Sequence, residues 1–219
     1  MRKILAFAAL IVAAVPFASS ASTTVARARA ELPSQRIPLA KASSGMQRRF
    51  GPFRVIDEQT AELVAVTDRR SPAHFVWMIS EFPHLRVLRM ADCPGTIDDV
   101  ANLRLGRLIH ARGMTTMVPS SGSVRSGAVE IFIAGVGRTV EYGAEFAVHP
   151  WSDRRGFEVA DLAASDPISQ TYLAYYKEMG LSEKQARGFY ALTNSVQNER
   201  ALWLTTDDLA RYVALKRSP

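Results

Sequence analysis

The chain has 219 residues, a formal net charge of +6 and one cysteine. A single cysteine excludes an intramolecular disulfide. The arginines are scattered, among them Arg27, Arg29, Arg48, Arg49, Arg69, Arg70, Arg154 and Arg155, and no aromatic-interleaved basic stripe of the kind that binds nucleic acid accompanies them. A mildly positive surface suits loose association with anionic envelope components instead.

Taken in chain order, Arg2 and Lys3 precede an apolar run from Leu5 to Phe17, and small residues follow. This is the layout of a secretory signal peptide, residues 1–21, cleaved after Ala21. The run is shorter than the roughly 20 residues that span a bilayer. An uncleaved N-terminal anchor is the alternative. Processing lowers the formal charge to +4 and places the product in the periplasm or outside the cell. Residues 22–50 are rich in Ala, Arg, Ser and Thr, with Pro33 and Pro38, and read as a flexible leader. Residues 51–219 are the length of one domain.

Within that domain, Ala61 to Thr67 reads as a strand. A helix follows to Phe82, with Ser71 as N-cap and Pro72 at its first position. Leu85 to Ala91 alternates like a strand, and Asp92–Thr96 reads as a turn. Ile97 to Arg112 is helical, with Ile97, Val100, Ala101, Leu105, Leu108 and Ile109 on one face and Gly113 as its stop. Met114 to Val118 is a strand, Ser120 to Arg125 a loop, and Ser126 to Ala134 an apolar helix. Two short strands flank Gly143. Helices follow near Ile168–Met179, Ser182–Thr193 and Thr206–Leu215. This alternation implies an α/β fold with a largely parallel sheet. Ligands of such sheets sit at the carboxyl ends of strands, where the Asp92–Thr96 and Ser120–Ser126 segments fall.

Ser126 at the start of an apolar helix has two readings. It is a plain N-cap, or a nucleophile held beside free helix-terminal amides that stabilise an oxyanion.

The segment Gly122-Ser123-Val124-Arg125-Ser126-Gly127-Ala128 resembles the stretch around the nucleophile of ClpP peptidases. Cys93-Pro94-Gly95-Thr96 is similar to the turn that lends that family an oxyanion-hole amide. Glu145-Phe146-Ala147-Val148-His149-Pro150 resembles the strand that ends in its catalytic histidine, 23 residues after Ser126. The resemblance covers about 61–151 and, more loosely, the C-terminal helices. It implies the ClpP/crotonase fold: repeated ββα units, a mainly parallel sheet and C-terminal helices.

It further implies an exported serine peptidase or related acyl hydrolase acting on a peptide or acyl substrate. Ser126 would be the nucleophile and His149 the base, with an oxyanion hole from the amides of Gly95 or Thr96 and of Gly127. No cofactor or metal is implied, and self-association into a homo-oligomer is. His74, His84 and His110 have no motif around them. At the position of the family's acid stands Ala201. Glu199 is the nearest carboxylate and the candidate third member, with Asn198 as a neutral orienter, while Asp207 and Asp208 read as caps of the last helix. Thr96 in place of a second glycine would be strained if its φ were positive.

Glu130 interrupts the helix after Ser126. It is expected to face solvent or to pair with an arginine, since a buried unpaired carboxylate is costly. Its spacing from Gly127 also resembles that of the crotonase catalytic glutamate. Two further readings therefore stand beside the hydrolase: a non-catalytic binding or assembly module, and an acyl thioester enzyme using Glu130.

Overall fold

A computed structural model describes residues 48–150, 165–197 and 200–218. The expected signal peptide, nearly all of the leader, Asn198 and Glu199 lie outside the described residues.

The described chain is α/β and is built from ββα units. Strands β1 (Arg49–Phe50), β2 (Phe53–Val55) and β3 (Thr60–Leu63) lead into α1 (Ser71–Glu81). The first unit is β4 (Val87–Arg89), β5 (Asp92–Cys93) and α2 (Asp99–Ala111). The second is β6 (Thr115–Val118), β7 (Ser123–Arg125) and α3 (Ala128–Ile133). The pair β8 (Gly137–Val140) and β9 (Glu145–Val148) repeats the pattern. The C-terminal part holds α4 (Pro167–Glu178), α5 (Glu183–Thr193), β10 (Leu202–Leu204), α6 (Thr206–Ala210) and β11 (Lys216–Arg217).

Each unit sends its first strand to one sheet and its second to another. The larger sheet runs β1-β2-β3-β4-β6-β8-β11 and is parallel from β3 onward. The smaller runs β10-β9-β7-β5, with β5, β7 and β9 parallel and β10 antiparallel. Consequently the ends of β5, β7 and β9, which carry the Gly95 turn, Ser126 and His149, lie side by side. Helix α3 packs on β6, β7 and β9, with Phe132 against Phe146 at 4.9 Å between ring centroids. The apolar residues of α3 join the core, and that burial is the main force holding the turn before α3 in place.

Four sequence expectations shift. Asp92–Cys93 and Ser123–Arg125 are short strands, not turn and loop, because they pair with one another across the smaller sheet. Ser71 lies inside α1, with Arg70 at the N-cap, and its hydroxyl donates to Asp68 Oδ1 at 2.9 Å. Helix α2 begins only after Asp98, whose carboxylate caps the Ala101 amide. Its buried stripe therefore runs through Ala101, Asn102, Leu105, Gly106 and Ile109, while Ile97 and Val100 are 77% and 83% exposed. The last helix stops at Ala210 rather than Leu215, and Thr205, not an aspartate, is its N-cap. Asp208 completes the capping box there.

Candidate active site

Ser126 links β7 to α3 through a sharp turn. Its φ is +52°, one of two positive values at non-glycine residues among those described. It therefore precedes α3 rather than opening it, and Gly127 is the N-cap. The turn is pinned on both sides: the Ser126 amide donates to the Ala147 carbonyl at 2.8 Å, and the Ser126 carbonyl accepts from the Val129 amide at 2.9 Å. A serine held at left-handed φ costs on the order of 1 kcal/mol and persists only where its surroundings impose it.

The glycine turn meets this elbow from β5. Gly95 has φ +121°, and a Cβ placed there would come within 2.8 Å of Ser126 Cβ and 3.2 Å of its Oγ. Only glycine allows that approach. Thr96 is not among the positive-φ residues, so the strain considered for it does not arise. Its hydroxyl is engaged with the Thr67 carbonyl at 3.2 Å and the Asp98 amide at 3.1 Å. A Cβ on Gly127 would fall 2.4 Å from Thr96 Cγ2, so Gly95, Thr96, Ser126 and Gly127 form one contact group. The first amides of α3 have no intrahelical acceptor.

Two buried polar residues that no sequence motif marks tie this group together. Thr67 donates its amide to the Gly95 carbonyl at 3.0 Å and accepts from the Ile97 amide at 3.0 Å. Its hydroxyl donates to Asn102 Oδ1 at 2.8 Å. Asn102 Nδ2 then donates to the Gly127 carbonyl at 2.7 Å. The only sequence signal was a polar residue inside the amphipathic stripe of α2.

His149 follows β9. Because Arg125 is the register partner of Ala147, it stands one residue beyond the position level with Ser126. Its Nδ1 lies 2.9 Å from the Pro150 carbonyl. An N–H on Nδ1 donating there leaves Nε2 as the basic nitrogen. Ser126, His149, Thr96, Gly127 and Glu130 line one cavity of about 180 Å³. Among the described residues no hydrogen bond joins Ser126 Oγ to His149. Such bonds are often loose in unliganded sites and tighten with substrate. In the antiparallel β9–β10 pair Leu202 is opposite Val148, which carries Ala201 to the position opposite His149.

Glu130 departs from expectation. It is 6% exposed rather than at the surface, and among the described residues it pairs with no arginine. The Tyr176 hydroxyl donates to its Oε1 at 2.8 Å. Burial raises its pKa to about 7 and the nearby Asp99 adds to the rise, while the Tyr176 bond opposes it. Gly106 makes room for Tyr175, whose hydroxyl donates to the Glu130 carbonyl at 2.8 Å. Cys93 is buried, and its thiol is pushed up to about 12, chiefly by desolvation, which leaves it inert. His110 is engaged with the Ala134 carbonyl at 2.9 Å, away from the cavity. Among the described residues no group of His, Cys, Asp and Glu could hold a metal ion, and no helix is long and apolar enough to cross a membrane.

No protein-family model matches the chain, and no curated protein matches it. Solved structures do. A membrane protease specific for a stomatin homolog from Pyrococcus horikoshii is 11% identical, with a TM-score of 0.47, over 73% of this chain and 71% of its own. A methylmalonyl CoA decarboxylase is 12% identical, with a TM-score of 0.49, over 78% and 68%. A ClpP1 mutant from Listeria monocytogenes is 15% identical, with a TM-score of 0.43, over 74% and 93%. These neighbours are of ClpP and crotonase fold, the two groups named by the sequence resemblance.

Proposed function

We propose that this chain is an exported serine hydrolase that cleaves peptide or related acyl bonds. The observation that carries the reading is Ser126, held at φ +52° between β7 and α3 in the same cavity as His149. Ser126 Oγ attacks the substrate carbonyl carbon while His149 Nε2 takes its proton. The carbonyl electron pair moves onto oxygen, where the amides of Gly95 or Thr96 and of Gly127 receive it. As the tetrahedral centre collapses, His149 gives its proton to the departing amine or alkoxide. Water then releases the acyl group by the same route. The Pro150 carbonyl supports the required tautomer of His149 at a place where Ala201 supplies no carboxylate.

A fluorophosphonate probe should label the wild-type protein and neither Ser126→Ala nor His149→Ala. Absence of labelling between about pH 6 and 9, where a histidine base can be neutral, overturns the hydrolase and leaves the binding or assembly module. Export predicts recovery of a product that begins at Ser22. We further propose self-association and contact with the envelope; sedimentation of the processed protein, alone and with anionic vesicles, tests both.

A second reading has one specific support: Glu130 sits in the same cavity, protected from water, with its pKa raised to about 7, as a general acid–base requires. An acyl thioester enzyme of this kind would lose turnover in Glu130→Gln and keep it in Ser126→Ala.

A further inference from the structure

Helices α1 and α3 cover one face of the larger sheet. Phe53, Leu63, Leu88 and Val118 point into the core on that side. There Phe75 of α1 lies 5.8 Å from Phe53 between centroids, and the Thr116 hydroxyl donates to the Phe132 carbonyl of α3. The other face carries a row of register partners that crosses all seven strands: Arg49, Arg54, Glu62, Arg89, Met117, Thr139 and Lys216. Of these only Glu62 is buried. At about 4.8 Å between strands the row is roughly 29 Å wide. Parallel sheets are normally covered on both faces, and among the described residues no helix residue bonds to a side chain of this row.

Four cations against one carboxylate leave this row a net +3. Glu62 accepts from both Arg54 and Arg89, so it balances only one of them. Arg49 and Lys216, at opposite edges of the sheet, are exposed and have no carboxylate partner among the described residues; the Arg49 Nε donates to the Gly51 carbonyl at 3.1 Å. Two acids at the strand ends lie off the row, and both accept from backbone amides: Asp57 from Gln59 and Thr60, Glu141 from Ser120. Between the cations stand Met117 and Thr139, with Val87 and Thr115 paired in the next row of the same face. A broad array of separated cations among apolar and hydroxyl side chains suits a plane of anionic headgroups. A single-stranded polyanion is instead tracked by a charged groove. The chain before the domain has the same character: residues 22–47 hold Arg27, Arg29, Arg36 and Lys41 against Glu31, and lead to Arg48 beside the first member of the row. Basic segments are drawn to anionic leaflets.

We propose that this face of the larger sheet, with Arg54, Glu62 and Arg89 at its centre and Arg49 and Lys216 at its edges, docks the protein on an anionic phospholipid bilayer. The inference rests on the envelope contact proposed above and deepens it by naming the surface that makes it. It does not depend on the chemistry of Ser126.

The processed protein is sedimented with vesicles of phosphatidylglycerol and, separately, of phosphatidylcholine. It should bind phosphatidylglycerol at least about tenfold more tightly. Arg49→Gln/Lys216→Gln should weaken that binding about 25-fold, at about fivefold for each cation taken from an anionic surface. Arg104→Gln/Lys184→Gln removes the same charge from exposed positions of α2 and α5 and should weaken it less than about threefold, because salt screens charges held away from the bilayer. All four positions are exposed, so both variants should keep the fold. No preference for phosphatidylglycerol overturns the envelope contact and the face together. Equal losses in the two double variants, or full binding by Arg49→Gln/Lys216→Gln, overturn the face and leave the envelope contact standing. A sedimentation coefficient that changes without lipid in Arg49→Gln/Lys216→Gln would give the face to a second copy, and tighter binding of soluble polyphosphate than of the vesicles would give it to a free polyanion. Either result overturns the proposal.

Discussion

Asn102 Nδ2 donates to the Gly127 carbonyl at 2.7 Å from inside the core. Through Thr67 the same side chain reaches the Gly95 turn, so one amide sets the spacing between the two arms assigned to the oxyanion hole. Asn102→Ala strands a buried carbonyl and a buried hydroxyl and should cost about 2 kcal/mol of stability. The labelling rate should fall about 10- to 100-fold, since misplaced oxyanion donors weaken catalysis steeply. Thr67→Val removes only the outer hydroxyl and should lose less of both. Equal labelling rates in wild type and Asn102→Ala would show that the link does not position the site.

Ser126 carries backbone strain that glycine would relieve. Ser126→Gly and Ser126→Ala both remove the nucleophile, but alanine keeps the cost of φ +52°. The glycine variant should be more stable by about 1 kcal/mol, less the extra chain entropy that glycine loses on folding. Urea unfolding of the pair measures this. A less stable glycine variant would mean that the elbow is not strained.

Glu130 has a folded-state pKa raised from 4.5 to about 7, so the folded chain holds its proton more tightly than the unfolded chain. The stabilisation is full below pH 4.5 and is lost as pH rises through about 7. The largest possible effect of a shift of this size is roughly 3 kcal/mol. Glu130→Gln cannot ionise, so it should remove this part of the pH dependence and gain on the wild type above pH 7. Denaturant midpoints across pH 5 to 8 check the sign. Parallel curves for the two proteins would count against the raised pKa.

On the proposed reading, the Pro150 carbonyl at His149 Nδ1 selects the tautomer. Glu199→Gln should therefore reduce labelling by less than about tenfold, against the loss of about 10⁴ that follows neutralising a triad acid. A loss of thousands-fold would restore Glu199 as the orienting acid.

The sequence by itself carried much of this protein. Hydrophobic alternation placed β4, the apolar helical face and Gly113 placed most of α2, and Gly143 marked the turn between β8 and β9, because those signals are local. The segments around Gly95, Ser126 and His149 were singled out by their resemblance to ClpP peptidases, and the fold brings the three into one neighbourhood. Tertiary structure decided the rest. Strands β5 and β7 are too short to show periodicity and exist because β7 pairs with both β5 and β9. Ser126 sits at positive φ between hydrogen bonds to Ala147 across the sheet and Val129 in α3. The carboxylate of Glu130 is driven inward by the tyrosines of α4, more than 40 residues away. Asn102 carries no motif in the sequence, and its role needed Thr67 and Gly127 brought to it from either side. Hydrogen bonds and burial between distant segments leave no local pattern for a sequence to display.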